Sequence, residues 1–206
     1  MPSISYAIPV CNEHDELDAL LTLLSKYKRD HDEIVIQCDQ GNTTPQVYEV
    51  IKKHAESVIV VEYPLKGDFA GFKNNLKNHC GGNWIFQIDA DELLHEEFLE
   101  HLPQILRDNP EVQLFCIPRI NTVEGLTQEH IQKWRWNVNE KGWVNFPDIQ
   151  TRILQNSPKI QWVGKVHEVI YGHTSQAILP IEEVYCLLHH KHIRRQEIQN
   201  TLYSMI

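Results

Sequence analysis

Residues 82–94 read GNWIFQIDADELL, and this stretch decides the fold. Trp84, Ile85, Phe86 and Ile88 make an apolar run suited to a buried strand, and Asp89, Asp91 and Glu92 arrive together at its end. Carboxylates this close repel one another unless positive charge lies among them. On one reading, Asp89 and Asp91 cap a following helix, ELLHEEFLEHL, whose N-terminus favours negative charge. On the other, they share a hard divalent cation. Mn2+ and Mg2+ take oxygen ligands and commonly use one or two carboxylates plus substrate phosphates.

The preceding chain favours the cation. ISYAIPV reads as a strand, and EHDELDALLTLLSKYK as a helix with Leu17, Leu20, Leu21 and Leu24 on one stripe. EIVIQCD is a second strand. Thr44 as N-cap and Pro45 at the first helical position open a helix that turns Val47, Val50 and Ile51 inward. SVIVVEY is a third strand, FAGFKNNLKNHC a helix stopped by Gly81 and Gly82, and VQLFCIP a strand beyond the acidic cluster. Alternation of this kind makes βαβ units and a mostly parallel sheet flanked by helices, an α/β fold. Ligands of such sheets bind beyond the carboxyl ends of the strands, and here those ends read PVCNE, CDQGN and DADE. Polar and acidic residues recur at one edge.

From about Arg119 the alternation stops. Residues 121–148, rich in tryptophan and polar side chains, read as an insertion over the site. TRILQNSPKIQWVGKVHEVIYG suggests a β-hairpin turning at Asn156-Ser157-Pro158, EEVYCLLHHKH a last strand, and residues 193–206 an amphipathic helix that leaves room for a further domain downstream. A length of 206 residues suits a single domain, 1–206, with an alternating half (1–118) and a half without that alternation (119–206).

Composition narrows the partners. A net charge of −9 argues against nucleic acid and acidic membranes, so an anionic ligand needs locally placed positive charge. Five scattered cysteines form no C-x-x-C pair, which suggests free thiols in a reducing compartment. With no signal-peptide pattern and no apolar run near the roughly 18 residues a span needs, the expectation is a cytoplasmic protein without a transmembrane segment. Glycine-rich dinucleotide and P-loop patterns are absent, which leaves a metal-bridged diphosphate.

IPVCNE (8–13), IVIQCDQGN (34–42) and GDFAGFKNNLKNHCGGNWIFQIDADE (67–92) together resemble family-2-type glycosyltransferases of GT-A fold. WVGKVHEVIYG and LLHHKH continue the likeness to members carrying V-H-E and a later histidine. Gln40 and Asn42 depart from the family's D-D-G-S, whereas Asp39 is kept. The resemblance implies metal-dependent transfer, with inversion, of a sugar from a nucleoside-diphosphate donor to a hydroxyl acceptor. UDP-sugar is the first choice of donor; a glycan or lipid-linked molecule could be the acceptor. It implies that Pro9, Val10, Cys11 and Glu13 line the base and ribose, and that Asp39 meets the base edge. Lys73 would face ribose or phosphates, or else be a solvated helix lysine. Asp89 and Ala90 would lie at the donor, with Asp89 on the ribose or a metal-bound water and Asp91 on the metal itself. His189 would complete the metal site, with His190 on the opposite strand face. Glu168 is the base candidate, with Asp148 in reserve, unless Glu168 pairs with Lys165 or Arg152; His167 could orient that carboxylate.

Trp134, Trp136, Trp143 and Trp162 are either an acceptor platform or packing. Three rivals remain: a haloacid-dehalogenase-type phosphohydrolase, a non-catalytic sugar-nucleotide or glycan-binding module, and a nucleotidyltransferase.

Overall fold

A computed structural model describes residues 1–197. Its first half alternates as the sequence does: β1 (Ile4–Val10), α1 (His14–Tyr27), β2 (Glu33–Asp39), α2 (Pro45–Lys53), β3 (Ile59–Tyr63), α3 (Phe69–Asn78) and β4 (Trp84–Gln87). A two-residue strand β5 (Glu92–Leu93) and α4 (Glu96–Asp108) follow, then β6 (Leu114–Glu124), α5 (Gln128–Trp134) and β7 (Val144–Gln155). The chain continues through β8 (Gln161–Val163), β9 (Val169–Tyr171), β10 (Gln176–Ile178) and β11 (Leu187–His192). The main sheet runs β3-β2-β1-β4-β7-β6-β11-β5, with β10 beside β6. β1 to β4 are mutually parallel, and β7 enters antiparallel between β4 and β6.

Side-chain alternation divides the interior in two. Ile4, Tyr6 and Ile8 of β1 face one way, with Ile34 and Ile36 of β2, onto the leucine stripe of α1 and onto Phe98, Leu99 and Leu102 of α4. Ala7 and Val35 face the other way, onto Ala70 and Leu76 of α3. Each fully buried leucine of α1 contributes about 1.5–3 kcal/mol of burial, so α1 is held by its stripe. The small sheet β8–β9 packs Trp162 and Ile170 into the α3 side of the core. That contact anchors the hairpin beside the strand ends.

Several sequence expectations need correction. Asp89 and Asp91 do not cap a helix at Glu92: Glu92 and Leu93 pair antiparallel with β11, and α4 starts only at Glu96. Gly81 and Gly82 do not cap α3 in the left-handed conformation, since the helix ends at His79 with φ −96°. Gly82 is there for space, because a Cβ would lie 2.7 Å from the Ser5 backbone nitrogen. Thr44 is the N-cap residue of α2, yet its hydroxyl makes no cap bond and is buried without a partner. Strand β6 runs on to Glu124, past Arg119. The hairpin turns at residues 164–168, not at Asn156-Ser157-Pro158, because β8 pairs with β9 and not with β7. Residues 193–197 are helical; the remainder of the expected C-terminal helix lies outside the described residues.

Candidate active site

The carboxyl ends of β1, β2 and β4 open into a cavity of about 750 Å³. The donor, metal and base candidates from the sequence line it: Pro9, Val10, Cys11, Glu13, Asp39, Lys73, Asp89, Ala90, Asp91, Glu168 and His189, with His167 beside them; the reserve base Asp148 and the four tryptophans do not. The loop after β1 is shaped by its own acid. One Glu13 oxygen accepts the backbone N–H groups of Cys11 and Asn12, both at 2.9 Å. Asp39, buried at the end of β2, accepts the backbone N–H of Leu65 at 2.9 Å and the Asn42 amide at 3.0 Å. Thus Asn42, one of the departures from D-D-G-S, braces the aspartate.

Two arginines answer the charge problem posed by the acidic cluster. Arg152 donates to Asp89 and to Glu92, each at 2.6 Å, and Arg119 donates to Glu92 at 2.9 Å and to Asp148 at 2.7 Å. Glu92 is fully buried, and Arg152 is 3% exposed. Burial alone would raise the Asp89 carboxyl. The Arg152 guanidinium, with Lys73 and Arg119 behind it, outweighs burial and holds Asp89 well below the usual carboxylate range. Burial likewise opposes ionisation of Asp148, and Arg119 and Asn121 overcome it. Both Asp89 oxygens are engaged, since Gln87 donates to the other at 3.2 Å.

Asp91 differs from its neighbours. Its Oδ2 lies 3.3 Å from His189 Nε2 and 3.5 Å from the Arg195 guanidinium. Burial would raise its carboxyl, but the His189 contact leaves it lowered. Arg195 also donates to Glu13 at 2.8 Å, so residues 193–197 reach across the cavity to the loop after β1. Burial pushes Lys191, another lining side chain, downward despite Asp91 nearby.

The Asp91–His189 pair can be tested as a metal site by its hydrogen bonds. Asn121 gives its amide NH₂ to Asp148 at 2.9 Å, which turns its carbonyl oxygen to His189 Nδ1 at 2.7 Å. Nδ1 therefore donates, and Nε2 faces a carboxylate oxygen. An imidazole nitrogen beside a carboxylate, with the distal ring nitrogen tied to a second-layer amide, is a pair that suits a divalent cation. Among the described residues no group of three or more His, Cys, Asp or Glu is arranged as ligands. Mg2+ or Mn2+ bound through few protein ligands plus substrate phosphates does not require one.

Glu168, in the β8–β9 turn, pairs with Lys73 of α3, not with Lys165 or Arg152. The Lys73 ammonium also lies 4.4 Å over the Trp162 ring. Asn74 clamps the hairpin: its side chain accepts from the Trp162 N–H at 2.9 Å and donates to the Trp162 carbonyl at 2.8 Å. His190 is exposed while His189 is buried, as strand alternation requires, and His192 is exposed. Arg119, Lys191 and Arg195 escaped sequence reasoning, and Arg152 entered it only as a partner for Glu168. The clearest missed signal is Arg152, an inward-facing charge in the apolar run of TRIL.

Residues 5–166, well over half of the chain, match the Glycosyl transferase family 2 profile. The chain belongs to that family. A curated relative, the SPbeta prophage-derived glycosyltransferase SunS of Bacillus subtilis (strain 168), is 23% identical over 84% of this chain and 36% of its own length. The chain thus spans about a third of the length of the curated relatives it matches. Among solved structures, S. aureus TarS 1–349 superposes with a TM-score of 0.61 at 14% identity, over 92% of this chain and 60% of that one. A mannosyltransferase from Pyrobaculum calidifontis, in complex with GDP-Man and Mn2+, gives 0.50 at 22% identity, over 57% and 36%. The fold is GT-A, mostly parallel and flanked by helices. Membership sets aside the haloacid-dehalogenase alternative. Among the described residues no helix is long and apolar enough to cross a membrane.

Proposed function

We propose that this chain transfers a sugar from a nucleoside-diphosphate donor, UDP-sugar first, to a hydroxyl acceptor with inversion at the anomeric carbon. The observation that carries the reading is that the residues assigned to donor, metal and base share one cavity, where five Lys and Arg side chains balance five carboxylates in a chain of net charge −9. Complexes of TarS 1–349 with UDP-GlcNAc and of the mannosyltransferase with GDP-Man and Mn2+ support a nucleotide-sugar donor.

In this reading residues 1–118 bind the donor and the rest of the chain supplies the acceptor side and lid. Pro9, Val10, Cys11, Glu13 and Asp39 hold base and ribose, and Lys73 meets ribose or phosphate. Asp91 and His189 hold Mn2+ or Mg2+, while Asp89, fixed by Arg152, faces the ribose. The cation supplies charge neutralisation to the departing diphosphate. Glu168 takes the acceptor hydroxyl proton as the oxygen bonds to the anomeric carbon and the bond to the diphosphate breaks. Lys73 has to release Glu168 first, so donor binding frees the base. The five free thiols suit a reducing cytoplasm.

The test is product analysis with UDP-, GDP- and dTDP-sugars and Mn2+. Release of a nucleoside diphosphate supports transfer chemistry. Pyrophosphate would mark a nucleotidyltransferase, and donor binding without any release over long incubation would mark a binding module.

A further inference from the structure

Next to the donor cavity lies a second one of about 220 Å³, sharing Arg119, His189 and Lys191 as a common wall. We propose that it seats one ring of a sugar, so that the acceptor is a carbohydrate. The assignment rests on the transferase reading and adds the acceptor's chemical class to it.

The size of the cavity limits its occupant. Pockets for drug-sized ligands run to roughly 300–1,000 Å³, so this one takes a single ring. Its lining has one aromatic face, Trp136, and amide and hydroxyl groups from Asn121, Thr122 and Asn145. A pyranose presents that combination in reverse: an apolar face of C–H groups and a rim of hydroxyls. Each of these groups is bonded within the protein and keeps further N–H or lone-pair capacity, which a sugar hydroxyl can use and a lipid chain cannot.

The aromatic wall is built and braced. Trp136 packs on Trp134 with ring centroids 4.7 Å apart, and Trp134 stacks on His130 at 5.1 Å and 15°. Helix α5 buries none of its residues, so this stack does not serve the core. Trp136 is turned back onto Trp134 by Arg135, which closes α5 at φ 55°, with the Trp136 N–H bonded to the Ile131 carbonyl at 3.0 Å. Left-handed backbone is unfavourable for arginine, and such strain concentrates where a fold fixes a binding geometry. Asn145, on the same cavity, has φ 53° and is locked to Asn137 by bonds of 2.7 and 2.9 Å. Four non-glycine residues among those described have positive φ: Asn145 lines this cavity, Arg135 immediately precedes its Trp136, His167 lines the donor cavity, and Lys66 lines neither. Trp143 lines neither cavity, and Trp162 packs under the hairpin.

Saturation-transfer NMR with methyl pyranosides of gluco, galacto, manno and 2-acetamido configuration, in the presence of UDP and Mn2+, tests this on the whole chain. The expected result is saturation on ring protons of at least one glycoside. Trp136→Ala should raise its dissociation constant about tenfold, the change that ~1.4 kcal/mol of lost stacking produces, and Trp136→Phe should restore most of it. Calorimetric UDP affinity should be alike in all three proteins. Absence of saturation from every glycoside while UDP binds overturns the sugar subsite alone, as does equal glycoside affinity in Trp136→Ala. The wild-type measurement stands even if that variant fails to fold. Failure of UDP to bind the wild-type protein overturns the donor reading beneath it.

Discussion

The two halves of the cavity are built on opposite plans. The wall from β1, β2 and β4 is contributed by consecutive residues at strand ends, shaped by hydrogen bonds of their own loops: Glu13 to Cys11 and Asn12, Asp39 to Asn42. The wall from β6, β7 and β11 is made of single side chains from separate strands, Arg119, Arg152 and His189, locked by side-chain pairs. Loops that organise themselves can be read as motifs. Charges that depend on partners far along the chain cannot.

The difference can be broken most forcefully at Arg152. Arg152→Met strands Asp89 and leaves the fully buried Glu92 with Arg119 alone, and breaking a buried pair from one side costs ~3–5 kcal/mol; chemical denaturation measures it. Asp89, Asp91 and Asp148 have folded pKa values below their unfolded ones, so their stabilisation is complete above about pH 3.9 and fades as pH falls through the depressed values. Removing Arg152 takes away the largest favourable cause for Asp89, so the acid-unfolding midpoint of the variant should move to higher pH. An unchanged midpoint would mean the guanidinium does not hold the cluster.

A smaller and sharper break is Glu168→Gln, which keeps the turn's shape and removes the proposed base. Turnover should fall by about 10²–10⁴, the range for general-base catalysis, while calorimetric UDP affinity is retained. Turnover equal to wild type would remove Glu168 from the chemistry.

Sequence reading recovered the parallel core because β1, β2 and α1 announce their own periods, and it found the strand-end acids because they interrupt apolar runs. It misplaced the hairpin since Asn156-Ser157-Pro158 is good turn chemistry, whereas the actual β8–β9 pairing depends on Asn74 and on burial of Trp162. It expected a cation shared by Asp89 and Asp91 to relieve the cluster. Two arginines, 27 and 60 positions from Glu92, take up most of that charge, and Asp91 is left to His189 and Arg195. No local pattern around residue 92 encodes this.

Calorimetric titration of UDP into the wild-type protein and Asp91→Ala, each with Mn2+ and with EDTA, tests the central claim most directly. The account predicts binding to the wild-type protein in Mn2+ that weakens at least about tenfold, a loss of ~1.4 kcal/mol, on chelation or on loss of Asp91, with the two changes not adding. Equal UDP affinity in all four titrations would contradict it.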